Sequence, residues 1–146
     1  MANQLFGTYK AALLGDTAGF SWASGTMKTA AVTGAALAQV DIDTFATVND
    51  IITAGSYGVS AERSADITGR SIGTTGEANS NSISFIGLTG SDVYAFAVYL
   101  EVDAADDTQN TLIAYLDTGN GLTGGFSPGG GTTTVSSSAP GYFFKL

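Results

Sequence analysis

Val93-Tyr94-Ala95-Phe96-Ala97-Val98-Tyr99-Leu100 and Thr111-Leu112-Ile113-Ala114-Tyr115-Leu116 decide the fold. At the period of two of a strand, Val93, Ala95, Ala97 and Tyr99 share one face of the first run, and Tyr94, Phe96, Val98 and Leu100 share the other. In the second run Leu112, Ala114 and Leu116 oppose Ile113 and Tyr115. Strands apolar on both faces belong at the centre of a sandwich or against another subunit. Asp103-Ala104-Ala105-Asp106-Asp107 between them reads as a solvated hairpin loop, and Asp117 to Gly121 as the turn that follows.

Working outward, Ser82 to Ile86 alternates with Ile83 and Phe85 inward, and Ala65 to Ile72 reads as a strand carrying Ile67 and Ile72. Gly73 to Gly76 is a turn. Residues 26–33 alternate through Met27, Thr29 and Ala31. Ala35 to Val40 fits helix or strand, and Thr44 to Ile51 a short helical turn. Residues 3–14 read as an amphipathic helix, with Leu5, Phe6, Tyr9 and Leu13 on one face, Asn3 as its cap and Gly15 as its stop. Beyond the glycine-rich stretch 119–131, strands are expected at Thr132 to Ser136 and over the last residues, Tyr142-Phe143-Phe144-Lys145-Leu146.

Composition agrees. The chain has 146 residues, with 44% hydrophobic and only 12% charged, which excludes a disordered polymer. Scaling predicts that roughly two-thirds of the unfolded surface is buried on folding, enough for one independent core. Twenty Gly, 14 Ser and 19 Thr suit short strands joined by many turns. The single Trp22 reads as a core anchor.

Charge and missing residue types narrow the chemistry. Five Lys and Arg against 13 Asp and Glu leave a net charge of −8, which argues against nucleic acid and anionic membranes as partners. No apolar run approaches a membrane span, and the start lacks the pattern of a secretion signal, so a chain made in a cytoplasm is expected. There is no Cys and no His, which removes disulfides, thiolate metal sites and every Ser-His-Asp triad.

Three constellations deserve weighing. Glu101, Asp103, Asp106 and Asp107, and the pair Asp41 and Asp43, could bind calcium or act as a glycosidase acid and base, but the spacing of a calcium loop is absent and a solvated surface is the simpler reading. The glycine-rich stretches 55–58 and 121–125 lack the residues of a phosphate loop. Arg63 and Arg70 suit pairing with the chain's own carboxylates better than an anion site, and the six Tyr and eight Phe suit strand cores better than a sugar platform. No catalytic, cofactor or metal site is expected. What remains is a β domain with more apolar strand surface than a monomer buries, which suits an assembly protein.

One resemblance sharpens this. Tyr9-Lys10-Ala11-Ala12-Leu13-Leu14, Met27-Lys28-Thr29-Ala30-Ala31-Val32 and Phe45-Ala46-Thr47-Val48-Asn49-Asp50 resemble, in order and type, the pieces of a family of small bacteriophage virion structural proteins. The most specific stretch is Ala97-Val98-Tyr99-Leu100 followed by Asn110-Thr111-Leu112-Ile113-Ala114-Tyr115-Leu116-Asp117-Thr118-Gly119. The resemblance departs at 30–38, which is rich in Ala and Gly. It implies a particle component on the capsid surface or in the tail.

The expectation is therefore a mainly β, antiparallel, jelly-roll-like sandwich of one domain with a short N-terminal helix. Its expected role is non-enzymatic: a capsid decoration or cement protein on the outer head shell. The expected partners are the major capsid protein and itself, as a trimer. Tyr142, Phe143, Phe144, Leu146, Leu5, Phe6 and Tyr9 are the expected contact residues. A tail, neck or fibre component is the alternative, followed by a glycan- or receptor-binding module.

Overall fold

The computed structural model describes residues 3–14, 22, 24–117 and 126–136, and the backbone of 144–145. Among them the order is β1 (Gln4–Leu5), α1 (Gly7–Leu14), β2 (Thr26–Thr33), α2 (Gln39–Thr44), α3 (Val48–Thr53), β3 (Gly58–Arg63), β4 (Ser71–Ile72), β5 (Glu77–Asn79), β6 (Ile83–Phe85), β7 (Val93–Glu101), β8 (Thr111–Leu116), β9 (Thr133–Val135) and β10 (Phe144–Lys145). One five-stranded antiparallel sheet runs β1-β8-β7-β2-β3, and two small sheets run β10-β5-β4 and β6-β9. The fold is mainly β and antiparallel with a short N-terminal helix, as the strand periodicity predicts.

The doubly apolar β7 and β8 lie inside the large sheet, and each face carries a core. On one face Met27, Ala31, Phe96, Val98 and Leu116 pack with Ala78 of β5, Ile83 and Phe85 of β6 and Val135 of β9, so the small sheets form the opposing layer. Trp22 is buried on this side and donates from Nε1 to the Asn79 carbonyl at 3.0 Å. On the other face Ala30, Val32, Ala95, Ala97, Tyr99, Leu112 and Tyr115 pack with Leu37, Ile42 of α2, and Val48 and Ile51 of α3. Alanine at 30, 95 and 97 lines the middle of this face with small side chains.

The ladders of the large sheet shift register at three places, and the shifts in β7 and β8 change which core a side chain enters. Val98 pairs with Ala114 and Tyr99 with Leu112, so Ile113 is an extra residue in β8. It carries Ile113 and Ala114 into the same core, while Leu112 and Tyr115 enter the other. In β7 Val32 pairs with Ala95 and Thr33 with Val93, so Tyr94 is the extra residue. Val93 therefore joins the core of Phe96 and leaves the face of Ala95 on which strict alternation places it.

The N-terminus departs further from expectation. The helix starts at Gly7, and Asn3 does not cap it: Asn3 Oδ1 accepts from the Asp117 N–H at 3.1 Å. Gln4–Leu5 instead completes the edge of β8, with Gln4 opposite Tyr115 and Leu5 opposite Ala114. Extended backbone sends neighbours to opposite faces, so Leu5 and Phe6 enter different cores. Leu13 is 37% exposed. Gly15 lies outside the described residues.

Residues 65–72 also differ. Only Ser71–Ile72 is a strand, paired with β5. Upstream, the Ala65 N–H bonds the Ser84 carbonyl at 2.9 Å and the Ile67 N–H bonds the Met27 carbonyl at 2.8 Å. The segment changes neighbour after two residues, so no ladder forms. The ambiguous stretch before Tyr57 resolves into α2 and α3. Asp50 starts α3, its Oδ2 accepting from the N–H groups of Ala46 at 2.9 Å and Thr47 at 2.8 Å in a capping box.

Tyr99 and Tyr115 are buried phenols on the helical side of the sheet. Tyr115 Oη accepts from the Leu37 N–H at 2.9 Å, and its ring meets Phe6 edge-on. Burial pushes both phenols up to about 12. In the unfolded chain they ionise near pH 10. Their contribution to stability is thus complete below that value and falls as pH rises towards 12. Urea midpoints should be flat through neutral pH and drop above pH ~10. Replacing both tyrosines by Phe should flatten that alkaline limb, and an unchanged limb would assign it elsewhere.

Candidate interaction surface

The acidic loop between β7 and β8 is tied inward. Asp103 Oδ1 accepts from the Ala105 N–H at 2.8 Å. Asp106 accepts from the Thr108 N–H at 3.0 Å and hydroxyl at 2.5 Å, and from Gln109 Nε2 at 2.8 Å. The Gln109 bond, then the two Thr108 bonds, hold the Asp106 carboxyl below the usual carboxylate range. Asp107 pairs with Arg63 at 2.9 Å. Beneath them lies Asn110, 1% exposed. Its Oδ1 accepts from the N–H groups of Val102 at 2.9 Å and Asp103 at 3.3 Å. Its Nδ2 donates to the Asp103 carbonyl at 2.9 Å and to Asp107 at 3.2 Å. Each carboxylate stabilises a turn, and among the described residues no three acidic side chains converge as a metal cage.

The other candidates are likewise absorbed. Asp41 accepts from the Tyr57 hydroxyl at 2.6 Å, and this bond raises the Tyr57 phenol above its ordinary value. Arg63 bonds Asp107 and the Ser60 carbonyl, as the pairing reading expects. Arg70 does not pair that way: its guanidinium donates to the carbonyls of Ser24 at 3.2 Å and Gly25 at 2.5 Å, strapping the entry of β2 to the chain before β4. Tyr9, Tyr99, Tyr115, Phe6, Phe85 and Phe96 are all buried, which favours core over sugar platform.

The expected contact residues divide. Leu5, Phe6 and Tyr9 are 5%, 0% and 4% exposed, so the chain's own cores take them and they offer a partner almost no surface. Apolar character marks a residue for burial without saying by whom. Phe144 lies in β10 opposite Ala78 by its backbone. Tyr142, Phe143 and Leu146 lie outside the described residues.

Exposed apolar surface gathers instead at the end of α1. Leu14 is 91% exposed, and Leu5, Lys10, Leu13 and Leu14 line an open cleft of about 440 Å³. α1 is held by α2. A Cβ on Gly7 would fall inside contact distance of the Asp43 carbonyl, and the Thr8 hydroxyl donates to the Phe45 carbonyl at 2.8 Å. Gln4 and Gln39 exchange amide bonds at 3.1 and 3.3 Å. α2 presents a second exposed aliphatic, Val40, at 64%. The signal for this surface was the pair Leu13-Leu14: adjacent leucines at a helix end exceed what one buried stripe can absorb.

Gly7→Ala should therefore destabilise the fold. Forcing a methyl into backbone costs roughly 1–3 kcal/mol. The better helix propensity returns about 1 kcal/mol. Because the obstacle is backbone, the upper end applies and a net loss of about 2 kcal/mol is expected by urea denaturation. No loss would mean that α1 does not seat on α2.

No helix among the described residues is long and apolar enough to cross a membrane. Compared with models of known protein families, with curated proteins and with solved structures, the chain has no match in any of the three.

Proposed function

We propose that this chain is a non-enzymatic structural component of a bacteriophage particle, a decoration or cement protein that binds the outer head shell and reinforces it by packing against neighbours. The observation that carries the reading is the exposed apolar end of α1, with Leu14 91% exposed above a cleft lined by Leu5, Lys10 and Leu13. Apolar surface grouped in this way on a rigid helix suits contact with another protein. The chain's net charge of −8 disfavours unspecific association and keeps particles apart. The acidic loop and the two arginines hold turns and strand ends together. Individual contacts on a shell can be weak, because many identical ones act together.

The test is the copy number of this protein in purified particles, by quantitative mass spectrometry against the major capsid protein. A count in the hundreds, in simple ratio to the capsid protein, supports decoration of the head. A few to a few tens of copies would move it to the tail, neck or fibre. Absence from the particle would overturn the structural role.

A further inference from the structure

We propose that the α1 cleft seats the α2 segment of a second copy of this chain, with Val40 of that copy entering beside Leu13 and Leu14 and its Asp43 meeting Lys10. The proposal deepens the assembly reading by naming the partner and the seat, and rests on that reading only for its biological setting.

Charge selects the partner. Copies that each carry −8 repel, so a stable contact between them needs a cation where the surfaces meet. Of the five cations, the side chain of Lys145 lies outside the described residues; Lys28 is held by Glu101 at 2.9 Å and Asp66 at 3.9 Å, Arg63 by Asp107, and Arg70 by two carbonyls. Lys10 is exposed and enters no ion pair among the described residues, and Gly7–Leu14 contains no acidic residue. Among the described residues the cleft is thus lined by three leucines with one cation at its rim, in a chain of net charge −8. It calls for an aliphatic side chain with a carboxylate close by.

The outer face of α2 offers that pair. Val40 stands 64% exposed, and Asp43, one turn further on, is exposed with the Gln39 amide as its partner at 3.0 Å. Such a carboxylate loses little hydration on meeting Lys10, while an aliphatic side chain gains from leaving water. The cleft of about 440 Å³ has room for it. Cleft and knob sit on two helices that pack on each other through Gly7 and Asp43, so each copy presents both halves of the contact side by side. A two-fold pairing in which the cleft of each copy takes α2 of the other uses both halves at once and closes as a dimer.

The experiment is sedimentation equilibrium of the isolated full chain, without particles, at concentrations up to roughly 100 µM, where weak contacts are populated. The expected result is a closed oligomer for the wild type and a monomer for Leu14→Glu. Lys10→Glu should weaken self-association by about tenfold or more. Lys10→Glu with Asp43→Lys should restore it. All three positions are exposed, and unchanged urea midpoints would show that the fold is intact. A monomeric wild type, or an oligomer that Leu14→Glu leaves untouched, overturns the proposal. A charge swap that fails to restore what Lys10→Glu removes overturns α2 as the occupant. Because no particle is present, failure here leaves the copy-number test of the assembly role unaffected.

Discussion

Phe96→Ala is expected to lower the unfolding free energy by about 3–5 kcal/mol. Phe96 is 1% exposed and lies in β7 opposite Ala31 of β2 and Leu116 of β8. Its ring stands 5.2 Å from Phe85, tilted by 33°, and 6.4 Å from Phe126. Those neighbours come from the small sheet β6-β9 side and from a bridge in which Phe126 pairs with Val93. Phe96 therefore joins the two layers as well as filling one, and truncation leaves a cavity whose walls belong to separate elements. Domains of this size hold about 5–15 kcal/mol in all, so the variant should be near its limit at 37 °C. Urea denaturation measures it. A loss below about 1 kcal/mol would mean that the layers close over the gap, contrary to the packing described.

Asn110→Ala should cost about 2–3 kcal/mol, unusually much for a polar residue in a loop. The buried amide satisfies two N–H groups and bonds one carbonyl and the Asp107 carboxylate, while the Asn110 carbonyl accepts from the Val48 N–H at 3.0 Å. It therefore fixes the turn, the start of β8 and the start of α3 together. Asn110→Asp is the sharper variant. It keeps the acceptor for Val102 and loses both donated bonds. It also sets a second carboxylate near Asp107, where the wild-type separation is 3.2 Å. Its defect should shrink as pH falls through the carboxylate range, because protonation restores a donor and removes the repulsion. Amide exchange at Val102 and urea midpoints at two pH values would read this. A pH-independent defect would assign the role of Asn110 to shape alone.

Much of the large sheet is legible in the sequence. β2, β7 and β8 are the longest strands among the described residues together with β3, and the structure places them within a residue of the expected bounds. The bulges are not legible, because Ile113 and Tyr94 are ordinary strand residues and only the register of a partner shows which one is extra. β1, β4 and β5 have two or three residues each, too few for any period. At the N-terminus, Leu5, Phe6 and Tyr9 satisfy helical spacing, while Leu5 ends an edge strand, Tyr9 lies in the helix and Phe6 joins the two; the open edge of β8 decided between them. The same ambiguity hid the exposed apolar surface. Large apolar residues near the terminus looked available to a partner, yet Leu5, Phe6 and Tyr9 are claimed from within, and Leu13 and Leu14 are the exposed ones.

The strand order carries a consequence for biosynthesis. β2 is complete once residue 33 is made, but its neighbours in the sheet are β3 and, across its whole length, β7 at 93–101. Translation at about 5–20 residues per second puts about 3–12 s between those two strands. β1, made first of all, waits longer still for β8 at 111–116. A nascent chain therefore carries Met27, Ala31 and Val32 without a sheet to enter, and the central sheet can close only after most of the chain has left the ribosome. Folding dominated by such distant pairings is slow, on the order of milliseconds to seconds. In that interval the acidic character of the chain acts between nascent copies, holding them apart until each has its own β7 to receive β2.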